Sequence, residues 1–162
     1  VNVVEAFGRA VDAMHTGGPI AMYPEGRISL DPGLWPERGK TGAARLALAA
    51  QVPVIPISQW GAQEAAIWGT KTVTCWHDFQ IVAGSWLRAV WARPRLRVHF
   101  GAPVDLSGLS ATRLGDAVRA RDRIMRAVTD GLVPLRANEP DVPRFQDPTR
   151  PVTARSPWRP PE

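Results

Sequence analysis

Apolar residues recur at Val3, Val4, Phe7, Val11 and Met14, and Gly17-Gly18 ends the run. Steps of three and four put these side chains on one side of a helix, predicted over residues 2–15. Ile20–Tyr23 is a short apolar run and reads as a buried strand. From Pro24 to Gly39 the pattern breaks, with Pro24, Gly26, Pro32, Gly33, Pro36 and Gly39 closely spaced. A loop of that length inside a compact domain is uncommon and often functional. Thr41–Ala50 is rich in Ala and Leu and predicts a tightly packed helix. Val52–Ser58 (VPVIPIS) is β-branched and apolar, and its two prolines place it at a sheet edge or strand end. Helix then strand occurs twice, which predicts an α/β fold with largely parallel strands.

Further along, Ala62–Trp68 suggests a short helix. Thr70–His77 alternates and reads as a strand, while Phe79–Val90 is apolar without a decisive period. Arg95–Phe100 (RLRVHF) alternates cleanly and predicts another strand, followed by an exit turn at Gly101–Leu106. Ser110–Leu132 reads as a helix with Leu114, Val118, Met125, Val128 and Leu132 on one face and arginines opposite. From Pro134 the chain holds eight of its 16 prolines and loses all periodicity. Residues 1–133 are therefore expected to form the domain, and residues 134–162 a Pro/Arg-rich tail, disordered or draped.

The net charge is +5, carried by 18 Arg and only 2 Lys. A basic body suits nucleic acid, an anionic membrane surface or phosphorylated small molecules. No basic-aromatic nucleic-acid motif accompanies the charge, so no nucleic-acid partner is expected. The single cysteine, Cys75, excludes an intrachain disulfide and a cysteine-rich zinc site, and reads as a small buried residue in a strand. The longest uncharged run, Leu46–Gln63, is broken by Pro53, Pro56 and Gly61 and does not read as a membrane span.

Gly39-Lys40-Thr41 opens a helix as a phosphate loop does, but the glycine that motif needs, with four residues between it and the Gly-Lys pair, is Leu34. Lys40 remains a candidate anion ligand beside a helix N-terminus. Tyr23-Pro24-Glu25-Gly26-Arg27 directly follows the first expected strand. Its charged residues could orient a phosphorylated ligand, with Gly26 letting backbone approach closely. An ordinary surface turn with a local ion pair accounts for the same residues.

Tyr23-Pro24-Glu25-Gly26-Arg27 resembles the Phe-Pro-Glu-Gly-Thr-Arg block of the lysophospholipid acyltransferase family, typified by 1-acyl-glycerol-3-phosphate acyltransferases. Lys40–Leu48 is similar to the family's lysine and small-residue helix. Val52-Pro-Val-Ile-Pro-Ile57 resembles its Val-Pro-Val-Ile-Pro-Val block, and Val98–Asp105 its late strand and Phe-Gly-x-Pro turn. Four blocks in the family's order span roughly Ile20–Leu106. The resemblance implies an α/β fold of glycerol-3-phosphate acyltransferase type, a mostly parallel mixed sheet with flanking helices, incomplete at the N-terminus. It implies transfer of a fatty acyl group from acyl-CoA or acyl-carrier protein to a lysophospholipid hydroxyl, without cofactor or metal. Pro24, Glu25, Gly26, Arg27 and Lys40 would bind the acceptor phosphate. A peripheral position on the cytoplasmic face of the plasma membrane goes with that activity. The alternative is a non-catalytic lipid- or membrane-binding module on the same fold.

Two departures matter. The family's threonine is absent, so Arg27 directly follows Gly26; either Arg27 takes the arginine's place from a shifted backbone, or it fills the threonine's place and another group binds phosphate. The catalytic His-x-x-x-x-Asp block is also missing: the residues five beyond His15, His77 and His99 are Ile20, Val82 and Val104. No catalytic residue is therefore assigned in this chain. The family places that block upstream of Glu25-Gly26, so the chain is expected to correspond to the C-terminal two-thirds of such an enzyme and to be inactive alone. Finally, six of the seven tryptophans lie between Trp35 and Trp91. Trp86 and Trp91, with Arg88 and Arg93 beside them, suit contact with an anionic membrane; a core position for the same tryptophans is the competing reading.

Overall fold

A computed structural model describes residues 2–65, 74–143, 152–153 and 155–160. The first helix, α1 (Val3–His15), starts where the Asn2 side chain accepts the Val4 N–H at 3.1 Å. It ends at the two glycines, as the spacing predicts. It lies along α2 (Gly42–Ala50), where His15 Nε2 meets the Ala50 carbonyl at 3.1 Å. Ile20–Tyr23 forms no strand, and its side chains are exposed, Tyr23 at 80%.

β1 (Ile57–Trp60) and β2 (Arg97–Phe100) pair antiparallel, with Ile57 opposite Phe100 and Trp60 opposite Arg97. The molecule is thus a small α/β mixture whose described sheet has two antiparallel strands, not the mostly parallel sheet expected. Prolines explain part of the difference. Residues 52–56 run beside 101–104, but Pro53, Pro56 and Pro103 have no N–H to give. What remains is one-sided: Gly101 N–H donates to the Pro56 carbonyl at 2.9 Å, and Val104 N–H to the Val54 carbonyl at 2.9 Å. Regular pairing begins only after Pro56.

A short helix, α3 (Ala62–Ala65), follows β1, and α4 (Trp76–Ala92) precedes β2. The strand expected over Thr70–His77 is not one in its described part: residues 70–73 lie outside the described residues, and Trp76 already begins α4. Asp78 reaches back to the Thr74 N–H at 3.2 Å and the Thr74 hydroxyl at 3.0 Å, which fixes a helix start there. Cys75 is the exposed N-cap of α4 rather than a buried strand residue.

The last helix, α5 (Asp116–Leu135), begins six residues later than expected. Residues 111–115 form turns instead, because the buried Asp116 carboxylate takes the Ser110 N–H at 2.8 Å and pairs with Arg119. It packs on α2 and on one face of the sheet. Gly131 makes that approach possible: a Cβ there would come within 2.7 Å of Ser58 Oγ and 2.8 Å of His99. Ser58 in turn donates to the Val128 carbonyl at 2.6 Å. Two apolar clusters form the core. One joins Ala44 and Leu48 of α2 to Ala120 and Ile124 of α5, and the other holds Trp35, Trp60 and Leu132.

The described residues of the tail expected from Pro134 make definite contacts. Helix α5 runs through Pro134, and residues 155–160 lie against the loop at 31–37.

Candidate acceptor site

The site grows from the turn after Tyr23. Gly26 N–H closes it on the Tyr23 carbonyl at 3.1 Å, and Gly26 sits at φ 68°, a backbone region that favours glycine. Lys40 N–H donates to the Pro24 carbonyl at 2.7 Å, so the far end of the loop returns to its beginning. The Lys40 side chain lies over Gly26: a Cβ on Gly26 would stand 3.3 Å from Nζ. Sequence positions 26 and 40 are thereby brought together, and both are exposed.

Glu37, which the sequence did not single out, organises the loop. Its Oε2 accepts from Arg27 Nε at 3.0 Å and Nη2 at 2.6 Å, while Oε1 accepts the Leu30 N–H at 2.7 Å. The Glu37 N–H donates to Glu25 Oε2 at 2.7 Å. Glu25 therefore turns inward and braces the backbone. Burial pushes its carboxyl above the usual glutamate value, and the nearby Glu37 charge pushes the same way; the Glu37 N–H and Arg27 oppose them. Arg27 keeps one edge of its guanidinium on Glu37 and remains half exposed, with donors to spare for an anion.

The stretch behind Glu37 is held from inside. Asp31 is fully buried, and its Oδ1 accepts the Gly33 N–H at 2.8 Å and the Trp35 N–H at 3.3 Å. This cap holds Leu34 at φ 57°, an uncommon conformation for a leucine. Arg136, at the end of α5, inserts between Trp35 and Trp60 with its guanidinium 4.1 and 4.2 Å from the two ring centroids. It donates to the Gly33 carbonyl at 2.6 Å and to the Asp141 carbonyl at 3.1 Å.

The second group of candidates lies on α4, away from this loop in sequence. Trp76, Phe79, Trp86, Leu87 and Val90 fall at steps of three, seven, one and three along the helix and are all exposed; Trp91 follows at 87%. The rings of Trp76 and Phe79 stack at 5.1 Å. Arg93 caps the helix and is exposed. Arg88 points the other way, its Nη2 donating to the Glu64 carbonyl at 3.1 Å on α3. Among the described residues, no helix is long and apolar enough to cross a membrane.

The three histidines are dispersed: His15 is at the α1–α2 contact, His77 in the first turn of α4 beside Trp76, and His99 on β2 opposite Ser58. Among the described residues no cluster of His, Cys, Asp and Glu could hold a metal ion.

No curated protein and no solved structure matches the chain. A family model does match, over residues 3–60, a little over a third of the chain. That interval contains α1, the whole 24–40 loop, α2 and β1; it stops before α4 and the late block at Val98–Asp105. The model that residues 3–60 match is that of the Acyltransferase family.

Proposed function

We propose that this chain serves an acyltransferase that moves a fatty acyl group from acyl-CoA or acyl-carrier protein to the hydroxyl of a lysophospholipid, with 1-acyl-glycerol-3-phosphate as the acceptor and phospholipid synthesis as the setting. The observation that carries it is the 24–40 loop, which lies inside the matched segment, lays Lys40 over Gly26 and holds Arg27, the next residue, on Glu37. Two cations beside a glycine turn suit a phosphomonoester, whose oxygens take charge-assisted hydrogen bonds. The acceptor oxygen would attack the thioester carbonyl, its proton passing to a general base and the thiol leaving. No His-x-x-x-x-Asp pair occurs in these 162 residues, so they are expected to show no turnover by themselves. Peripheral contact with an anionic membrane, through α4, belongs to the same reading.

The test is binding. Arg27→Ala should weaken a short-chain lysophosphatidate by about 10- to 100-fold, the worth of a hydrogen bond to a charged group. The dephosphorylated monoacylglycerol should be affected little. Equal losses on both ligands would remove Arg27 from the acceptor site. A second reading is a lipid-binding module without chemistry on the same fold. Turnover by the 162-residue chain would refute it.

A further inference from the structure

We propose that the segment bearing Ser156 and Trp158 is a working part of the acceptor site, in which Trp158 positions Glu37 and, through it, Arg27. The proposal rests on the acceptor-site reading above and adds residues more than 115 positions away from the loop. The Trp158 indole N–H donates to the Glu37 carbonyl at 3.1 Å. The Ser156 N–H donates to Asp31 Oδ2 at 2.7 Å, and its hydroxyl donates to the Pro36 carbonyl. The same hydroxyl accepts the Trp158 N–H at 3.1 Å, which ties the two residues together. Ser156 is buried, and Arg126 of α5 lies over the Trp158 ring at 5.9 Å. Arg159 pairs with Asp141, whose carbonyl Arg136 also holds.

These contacts close a chain of positions that ends at the phosphate-binding candidate. Each polar group of Glu37 has a use: the carbonyl takes Trp158, the N–H goes to Glu25, and the carboxylate holds Arg27 and Leu30. An arginine has a large rotamer entropy, and fixing it before the ligand arrives lowers the cost of binding. Among the described residues Glu37 is the group that fixes Arg27, and the segment at 156–158 fixes the backbone on which Glu37 stands. Trp158 is therefore a positioning residue, reaching the acceptor only through Glu37.

The experiment compares three 162-residue chains: the parent, Trp158→Phe, which keeps a ring but loses the N–H, and Arg27→Ala. Hydrogen exchange at the Leu30 and Glu37 amides should quicken about three- to tenfold in Trp158→Phe, the loss of one ordinary hydrogen bond. Amides of α5 between Ile124 and Leu132 should not change. The preference for short-chain lysophosphatidate over monoacylglycerol should fall by a similar factor, toward that of Arg27→Ala. Exchange that rises equally in the loop and α5 with the preference intact means general destabilisation only and overturns the proposal. Unchanged exchange at Leu30 and Glu37 overturns it too. Loss of preference in Arg27→Ala but not in Trp158→Phe defeats the positioning role alone; no loss in Arg27→Ala defeats the acceptor site and this proposal with it.

Discussion

Glu25 stands in the Pro24–Arg27 motif, and its carboxylate is spent on the Glu37 N–H. It faces inward, and burial holds its carboxyl above the ordinary value of 4.5. From pH 4.5 up to that higher value the folded chain retains a proton that the unfolded chain has released. The stability tied to Glu25 is therefore complete below pH 4.5 and declines as pH rises through the window. Glu25→Gln keeps the oxygen that accepts the Glu37 N–H and removes the charge. Its thermal midpoint is expected above the parent's at pH 7 and level with it at pH 4. A variant less stable at pH 7 would show that attraction to Arg27 outweighs burial. The contiguous motif, Pro24–Arg27, was legible because the residues follow one another in the chain. Glu37 was not, since it meets Arg27 and Glu25 only after the loop folds back.

Among the elements, α4 was the hardest to read and is the most unusual. Thr70–His77 alternates, and alternation is the signature of a strand; the competing signal, Thr74 capped by Asp78, rests on two residues. Phe79, Ala83, Trp86 and Val90 carry a helical period that an almost wholly apolar stretch conceals. The helix then exposes the aromatic side of that period instead of burying it. β2 repeats the inversion: Arg97 and His99 lie on the side of Ser58 and Trp60, while Val98 and Phe100 face outward with Ile57, Phe100 at 67% exposure. Alternation identified the strand but not which of its faces would be covered. For α4 the reading as a membrane contact has a direct check. Sedimentation with vesicles of phosphatidylcholine and phosphatidylglycerol should show about tenfold weaker partitioning for Trp86→Ala/Trp91→Ala, given the transfer energy of an aromatic side chain. Unchanged sedimentation would leave the exposed tryptophans without a lipid role.

At the scale of the molecule, Arg136 connects what the sequence presented as separate parts. It leaves α5, passes between Trp35 of the loop and Trp60 of β1, and reaches Gly33 and Asp141. Among the described residues the Nε1 atoms of both tryptophans have no hydrogen-bond partner, so the stacked cation is the main polar contact their rings gain. Arg136→Leu is expected to cost about 3 kcal/mol, from two stacking contacts and two hydrogen bonds of a charged donor. For a chain of this size that lowers the midpoint by roughly 6–12 °C, measurable by calorimetry; a shift within about 2 °C would make the stack incidental. Helix–strand alternation could suggest the class of fold but not the pairing of strands. Parallel order was inferred from the sequence of elements, and Ile20–Tyr23, which should have joined the sheet, pairs with neither strand.

The attachment of residues 156–158 to the loop at 31–37 also orders events in time. Contacts between residues so far apart in the chain form late, because closing a long loop must precede any gain from the contact. During synthesis, α1, α2 and the Glu25–Arg27 turn leave the ribosome long before Trp158 is added. The 24–40 loop is expected to remain unlocked until that residue emerges, so a growing chain would fix the Glu37 backbone well after the loop itself has been made.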